Sequence, residues 1–279
     1  MNQTSLPPVE RLTVTDILEA FKQGQSLAQQ DLREINLSQA DLTGIDLQGS
    51  NLIGVELGQA NLTDATLQAA DLRRANLRGA NLQGANLQQT LLFRADLRSC
   101  NLTGAHLTGA QLKLALYDSQ TLWPEDFDCQ SLGLIGPKAN LSGVYLNAAN
   151  LRGVDLQGCN LRGAYLSGAD LTEANLTGAA LSGANLQNAM LTGACLRNAK
   201  FVGAELKGAD FRAADLTHAN LEQLQNIAGA DFSFAQGITE EMKSLLSRYS
   251  PQELGTWNVI TRTNTAQSIG VPIGSDPRE

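Results

Sequence analysis

ADLRRANLRGANLQGANLQQ, residues 70–89, is one five-residue phrase written four times. Leu72, Leu77, Leu82 and Leu87 stand five apart, each preceded by Asp or Asn and, one residue earlier, by Ala. Moving outward, the period holds without exception from Leu32 to Leu112. It returns from Leu141 to Leu221, where only Phe201 and Phe211 replace Leu. Each ladder contains 17 repeats; across all 34 the position two before the centre is Ala in 24, and the position just before it is Asp or Asn in 22. Regularity of that order marks a structural unit rather than individually placed functional groups. Gly often stands two after the centre, as at Gly44, Gly79, Gly104 and Gly178, so the consensus is A-(D/N)-L-x-G.

A period of five fits neither a helix nor a plain strand. Each unit must contain a short extended piece and a turn, and Gly suits the turn because it reaches backbone angles that a Cβ penalises. Leu and the small residue are the only consistently apolar pair, so both are expected to point inward. Composition agrees: 43% of residues are hydrophobic but only 5% aromatic, which suits a narrow interior lined by Leu and Ala.

With this consensus the chain resembles the pentapeptide-repeat family, and the Trp-Pro-x-x-Phe-Asp run at residues 123–128 resembles interruptions in its cyanobacterial members. The resemblance implies an all-β solenoid, a right-handed quadrilateral parallel β-helix in which four repeats close one square coil. Residues 20 apart then stack at the strand spacing of about 4.8 Å, and the chain makes about nine coils, including a degenerate pair of repeats near Ile227 and Phe232. Open coil ends need covering, and short α-helical caps are expected at both. The organisation reads as an N-terminal helical cap over 1–29, a first solenoid part over 30–112, an interrupting loop over 113–138 and a second solenoid part over 139–235. A C-terminal helical cap over 236–260 and a disordered tail over 261–279 follow. Thr13 and the Ser250-Pro251-Gln252-Glu253 run supply helix-start signals, and the solenoid is expected to continue past the loop.

No constellation for catalysis appears. His106 and His218 have no nucleophile near them in the sequence, and Cys100, Cys129, Cys159 and Cys195 lack metal-ligand or disulfide spacing. Cys100 and Cys159 fall at the small inward position, where Cys acts as a compact hydrophobe. The recurrent Asp and Asn suit hydrogen bonds to nearby backbone. The expectation is a non-enzyme with no catalytic residue, metal or cofactor. The start lacks the basic-then-apolar pattern of a signal peptide, and no apolar run approaches a membrane span, so a cytoplasmic protein without membrane insertion is expected.

Net charge is −8, but residues 31–112 carry only −2 and residues 139–222 only −1. One branch of the resembled family imitates DNA to inhibit a type II topoisomerase, conferring quinolone resistance. Such mimicry needs negative charge along the coils, so it ranks below a protein-interaction scaffold or regulator, whose partner the sequence does not identify. Direct nucleic-acid binding is disfavoured, since Asp71 and Asp96 temper the bases. A homodimer through the solenoid ends stays open, as some resembled proteins dimerise that way. The candidate partner surface is one predicted face with Ile53, Arg73, Arg74, Leu91, Phe93, Arg94 and Lys113, plus Arg78 and Arg98 on the next face; Arg beside exposed apolar groups typifies binding hot spots. The second candidate is aromatic. Tyr145 and Tyr165 stand 20 apart and either support the loop carrying Trp123 and Phe127 or form a docking site of their own.

Overall fold

The computed structural model describes residues 12–130 and 132–273. It divides into two compact units, Met1–Leu134 and Ile135–Glu279. In each, parallel bridges join residues 20 apart, one set per repeat: Asp71 to Leu91 and Asn76 to Asp96 in the first, Asn160 to Ala180 and Tyr165 to Asn185 in the second. Four such stacks per 20 residues define four faces within each unit.

Hydrogen-bond accounting in one repeat explains the consensus. Around Leu77, the Asn76 N–H donates back to Val55 (2.9 Å), the Leu77 N–H forward to Asp96 (2.9 Å) and the Gly79 N–H forward to Arg98 (2.8 Å). The Ala80 N–H closes the turn on the Leu77 carbonyl at 2.9 Å. The one remaining N–H, that of Arg78, donates to Oδ1 of Asn76 at 3.1 Å. Asp or Asn therefore precedes the centre because a short acceptor side chain there satisfies the fifth donor, leaving none of the five unpaired. Gly79 stands where φ is +70°, the left-handed region.

The interior is as narrow as the composition implies. Leu72, Leu77, Leu82 and Leu87 are fully buried, as are nearly all the Ala residues two before a centre. Cys100 and Cys159 lie in the same inward row, and their thiols donate to the carbonyls of Leu77 (2.7 Å) and Gly136 (2.8 Å). Burial pushes both thiols up to about 12, the opposite of an activated nucleophile. The second unit ends on an aromatic plug: Phe211 stacks on Phe232 at 5.0 Å and meets Phe201 edge-on at 5.9 Å.

Two sequence-based boundaries need correction. The interruption is shorter than 113–138, because Leu116 still bridges Asp96 and Leu122 still bridges Asn101. Tyr117 fills the inward slot of a Leu, and one extra residue makes the Asn101–Leu122 step 21 instead of 20; together these hid the last repeats of the first unit. A similar one-residue insertion shifts Glu205 onto Asn226, and Ile227 and Phe232 are buried as the degenerate repeats require.

The second correction concerns the tail assigned to 261–279. Helices α1 (Val14–Lys22), α2 (Glu240–Leu246), α3 (Pro251–Gly255) and α4 (Thr265–Ile269) are present, and α4 lies inside that supposed tail. Trp257 pairs antiparallel with Asn264, and Thr265, Ala266 and Ile269 are buried. What orders this segment is polar and non-periodic. Tyr249 donates to the Leu224 carbonyl (2.7 Å), Thr265 to Ile227 (2.8 Å), and the Asn258 amide to both Gly208 (3.1 Å) and Gly229 (2.8 Å). Helix α3 starts on the Ser250 capping box read from the sequence, and α1 starts on a Thr cap, Thr13, which forms a capping box with Asp16. Residues 1–11 of the assigned N-terminal cap, Ser131 of the loop and 274–279 of the tail lie outside the described residues.

Carboxylates held this way make acid stability predictable. The Thr217 hydroxyl and the Arg197 guanidinium hold Asp215 down to about 2. Hydrogen bonds from Thr43 and Thr172 lower Asp41 and Asp170. Burial pushes Asp210 upward, but bonds from Arg212 and Thr192 outweigh it and leave its pKa lowered. A folded pKa below the unfolded value of about 3.9 stabilises above that pH and loses its effect as pH falls through the folded value. Melting temperature should therefore be flat from pH 7 to about 5 and fall between about 4 and 2, with a shallower fall in Asp215→Asn. Melting curves that keep their midpoint at pH 2 would contradict this.

Candidate protein-binding surface

The first unit assembles the face that the sequence implies. Hydrogen bonds from Gly54 to Arg73 (2.9 Å), Arg74 to Phe93 (3.1 Å) and Arg94 to Lys113 (3.3 Å) put Ile53, Arg73, Phe93 and Lys113 in one column and Gly54, Arg74 and Arg94 in the corner column beside it. Leu91 bridges Asp71 and Gln111 on the same face. Ile53, Leu91 and Phe93 are half-buried; Arg73, Arg74, Arg94 and Lys113 are exposed. Arg78 and Arg98 stack on the next face, through the bond from Gly79 to Arg98.

The arginines are not equivalent. Arg73 folds onto Asp71 (2.6 Å) and Arg98 onto Asp96 (2.5 Å), both through Nε and Nη2. The cause is local: in Asp-Leu-Arg the two polar residues flank an inward Leu and so share one outer surface. Arg33 with Asp31 repeats the arrangement, and Arg212 with Asp210 does so around an inward Phe211. The D-L-R triplet was the available signal for this pairing. Among the described residues Arg74, Arg78, Arg94 and Lys113 make no ion pair. The Arg94 guanidinium instead lies over the Phe93 ring, 5.3 Å from its centroid.

The aromatic candidates fall in different units. In the first, Trp123 stacks on Phe127 (4.9 Å, 19°) and meets Tyr117 edge-on (5.8 Å), so the inward Tyr117 joins the anchor of the interruption. In the second, Tyr145 and Tyr165 stack at 4.5 Å and 4°, and are 70% and 41% exposed. Sequence reasoning missed a further apolar surface: Trp257, Val259 and Ile260 on the C-terminal hairpin are 58%, 88% and 59% exposed. Nothing periodic flags them.

A groove of about 850 Å³ lies beside α2, lined by His218, Leu221, Glu222, Glu241, Met242 and Arg248 among others. Among the described residues no cluster of three or more His, Cys, Asp or Glu is placed to hold a metal ion, and no helix is long and apolar enough to cross a membrane.

Five-residue repeats, parallel bridges every 20 residues and a Leu-lined interior define a solenoid repeat protein. Eight copies of the family model for pentapeptide repeats match between residues 31 and 115 and between 139 and 236. The chain belongs to the pentapeptide repeat family, whose coil is a right-handed β-helix. It is 31% identical to HetL, a pentapeptide repeat protein involved in heterocyst differentiation regulation from the cyanobacterium Nostoc, over 79% of this chain and 97% of HetL (TM-score 0.35). It is 40% identical to Rfr23 of the cyanobacterium Cyanothece over 35% of this chain and 63% of that one (TM-score 0.27). QnrB1, a plasmid-mediated fluoroquinolone resistance protein, is 17% identical over 77% of this chain and 96% of its own (TM-score 0.28). No curated protein matches.

Proposed function

We propose that this protein is a non-catalytic, cytoplasmic interaction scaffold or regulator that docks a protein partner on the Arg74/Arg94 face of its first unit. The observation that carries this reading is the uneven fate of the bases. Asp71 neutralises Arg73, while Arg74, Arg94 and Lys113 stay exposed and unpaired beside Ile53, Leu91 and Phe93. Unsatisfied cations around partly covered apolar and aromatic groups form a hot-spot composition. The competing reading, a DNA-mimicking topoisomerase inhibitor, needs a ladder of free acids. Asp31, Asp71, Asp96, Asp210 and Asp215 are instead engaged by arginines.

The test is capture of a partner from the source cell by wild type, Arg74→Glu/Arg94→Glu and Arg73→Ala. The double reversal should weaken capture by about tenfold or more, as loss of a hot spot does, with an unchanged circular dichroism spectrum. Arg73→Ala should have a smaller effect. Equal capture by the double reversal removes this face from consideration, and inhibition of gyrase supercoiling at micromolar protein would favour the mimic.

A further inference from the structure

Resting on the reading that this face docks a protein, we infer that its occupant is an acidic amphipathic helix lying along the solenoid axis, with carboxylates one helical turn apart on the Arg74/Arg94 corner. The charge balance of the face sets the sign. From the coil of Asn51 to that of Gln111, its columns contain one acid, Asp71, and Arg73 consumes it. What is left in that span is Arg74, Arg94 and Lys113, all positive, in a protein of net charge −8; the corner's acid, Glu34, lies one coil beyond Gly54.

Spacing selects the secondary structure. Arg74 and Arg94 occupy the same corner in successive coils, as the bonds Gly54 to Arg73 and Arg74 to Phe93 require, so they repeat at about 4.8 Å along the axis. Side chains at i and i+4 on a helix lie about 5–6 Å apart, close to that step. Same-side residues of an extended strand repeat at about 6.6–6.8 Å and drift out of register. A strand has no backbone edge to pair with here either, because the solenoid's own ladder already uses these N–H groups.

The apolar strip argues in the same direction. Ile53, Leu91 and Phe93 flank the cations and suit the apolar stripe of a helix, which a phosphate backbone lacks. A nucleic acid would stack a base on the aromatic face, but the Arg94 guanidinium covers Phe93. That contact also holds Arg94 in place before any partner arrives, which lowers the entropy lost on binding.

Backbone geometry supplies a clean probe. Arg74 and Arg94 have φ of +60° and +59°, and the residue one coil earlier at the same corner is Gly54 at +66°. Arg74→Gly/Arg94→Gly therefore deletes both cations while giving the corner a residue that adopts this conformation freely. The melting temperature should not drop. Three fluorescent probes are compared: a 22-residue peptide with Glu at every i and i+4 on one stripe and Leu on the next, its scrambled counterpart, and a 22-nucleotide single-stranded DNA.

Wild type should bind the patterned peptide at least tenfold more tightly than the other two. The double glycine variant should lose that preference, and Arg74→Lys/Arg94→Lys should keep most of it. The inference is overturned if the patterned peptide fails to bind, if the scrambled peptide or the DNA binds as well, or if the glycine variant binds unchanged. Cell capture that still requires Arg74 and Arg94 alongside any of those results would leave the docking face standing and remove only the acidic helix.

Discussion

Phe211→Ala will remove about 3–5 kcal/mol from the stability of the second unit, the range for emptying a buried aromatic site. Phe211 is fully buried between two other rings, 5.0 Å from Phe232 and 5.9 Å from Phe201. Its loss deletes transfer free energy and two aromatic contacts, each worth about 0.5–1.5 kcal/mol beyond burial. The walls have little freedom to collapse, since every coil is tied by backbone bonds to the coils on either side. Such a loss is a large share of a typical domain stability of about 5–15 kcal/mol. Phe211→Leu restores the consensus residue and should cost less than half as much. Urea unfolding followed through hydrogen exchange of residues 196–236 separates the two variants. A cost below about 1 kcal/mol for alanine would mean that the interior repacks freely, contrary to its ladder geometry.

This plug marks the boundary between what the residues declare and what they conceal. The Leu period exposes the fold because the central inward position holds Leu in 32 of 34 repeats. The Asp/Asn position is legible for an equally local reason, the one N–H in five that the ladder leaves over. Tyr117 escaped notice because an aromatic in a Leu slot and a one-residue insertion coincide there, and either alone would have left the period visible. In the second unit an insertion between Leu221 and Asn226 is survived by Ile227 and Phe232, which keep an apolar centre.

The surface is harder to read because its chemistry depends on pairing. Six basic residues were named as candidates from the sequence; among the described residues four of them, Arg74, Arg78, Arg94 and Lys113, emerge without an ion pair, whereas Arg73 and Arg98 each have one. The distinction turns on which residue stands two earlier: an Asp in Asp71-Leu72-Arg73 and Asp96-Leu97-Arg98, but Asn in Asn76-Leu77-Arg78. Arg74 and Arg94 sit instead at the corner, one residue past the position that faces the acceptor. Ion pairs this exposed contribute little to stability, so their effect is to decide which charges a partner meets.

Asn258→Ala should release the C-terminal hairpin while leaving the coils folded, at a cost of about 3 kcal/mol or more. One side chain makes four hydrogen bonds: its amide donates to the carbonyls of Gly208 and Gly229, and its Oδ1 accepts from the N–H groups of Ile260 (2.9 Å) and Thr261 (3.2 Å). Each bond is worth about 1 kcal/mol net, and Asn258 is only 3% exposed, so alanine leaves buried groups unpaired. The apolar residues of the hairpin cannot compensate, because Trp257, Val259 and Ile260 face solvent. Asn258→Asp isolates the donors: it keeps shape and acceptor but sets a carboxylate against two carbonyl oxygens, and should be at least as damaging at pH 7. Limited proteolysis reads the outcome as new cleavage between residues 256 and 270, with the solenoid protected. Resistance in both variants would mean that Thr265, Ala266 and Ile269, buried in and around α4, hold the segment without the asparagine.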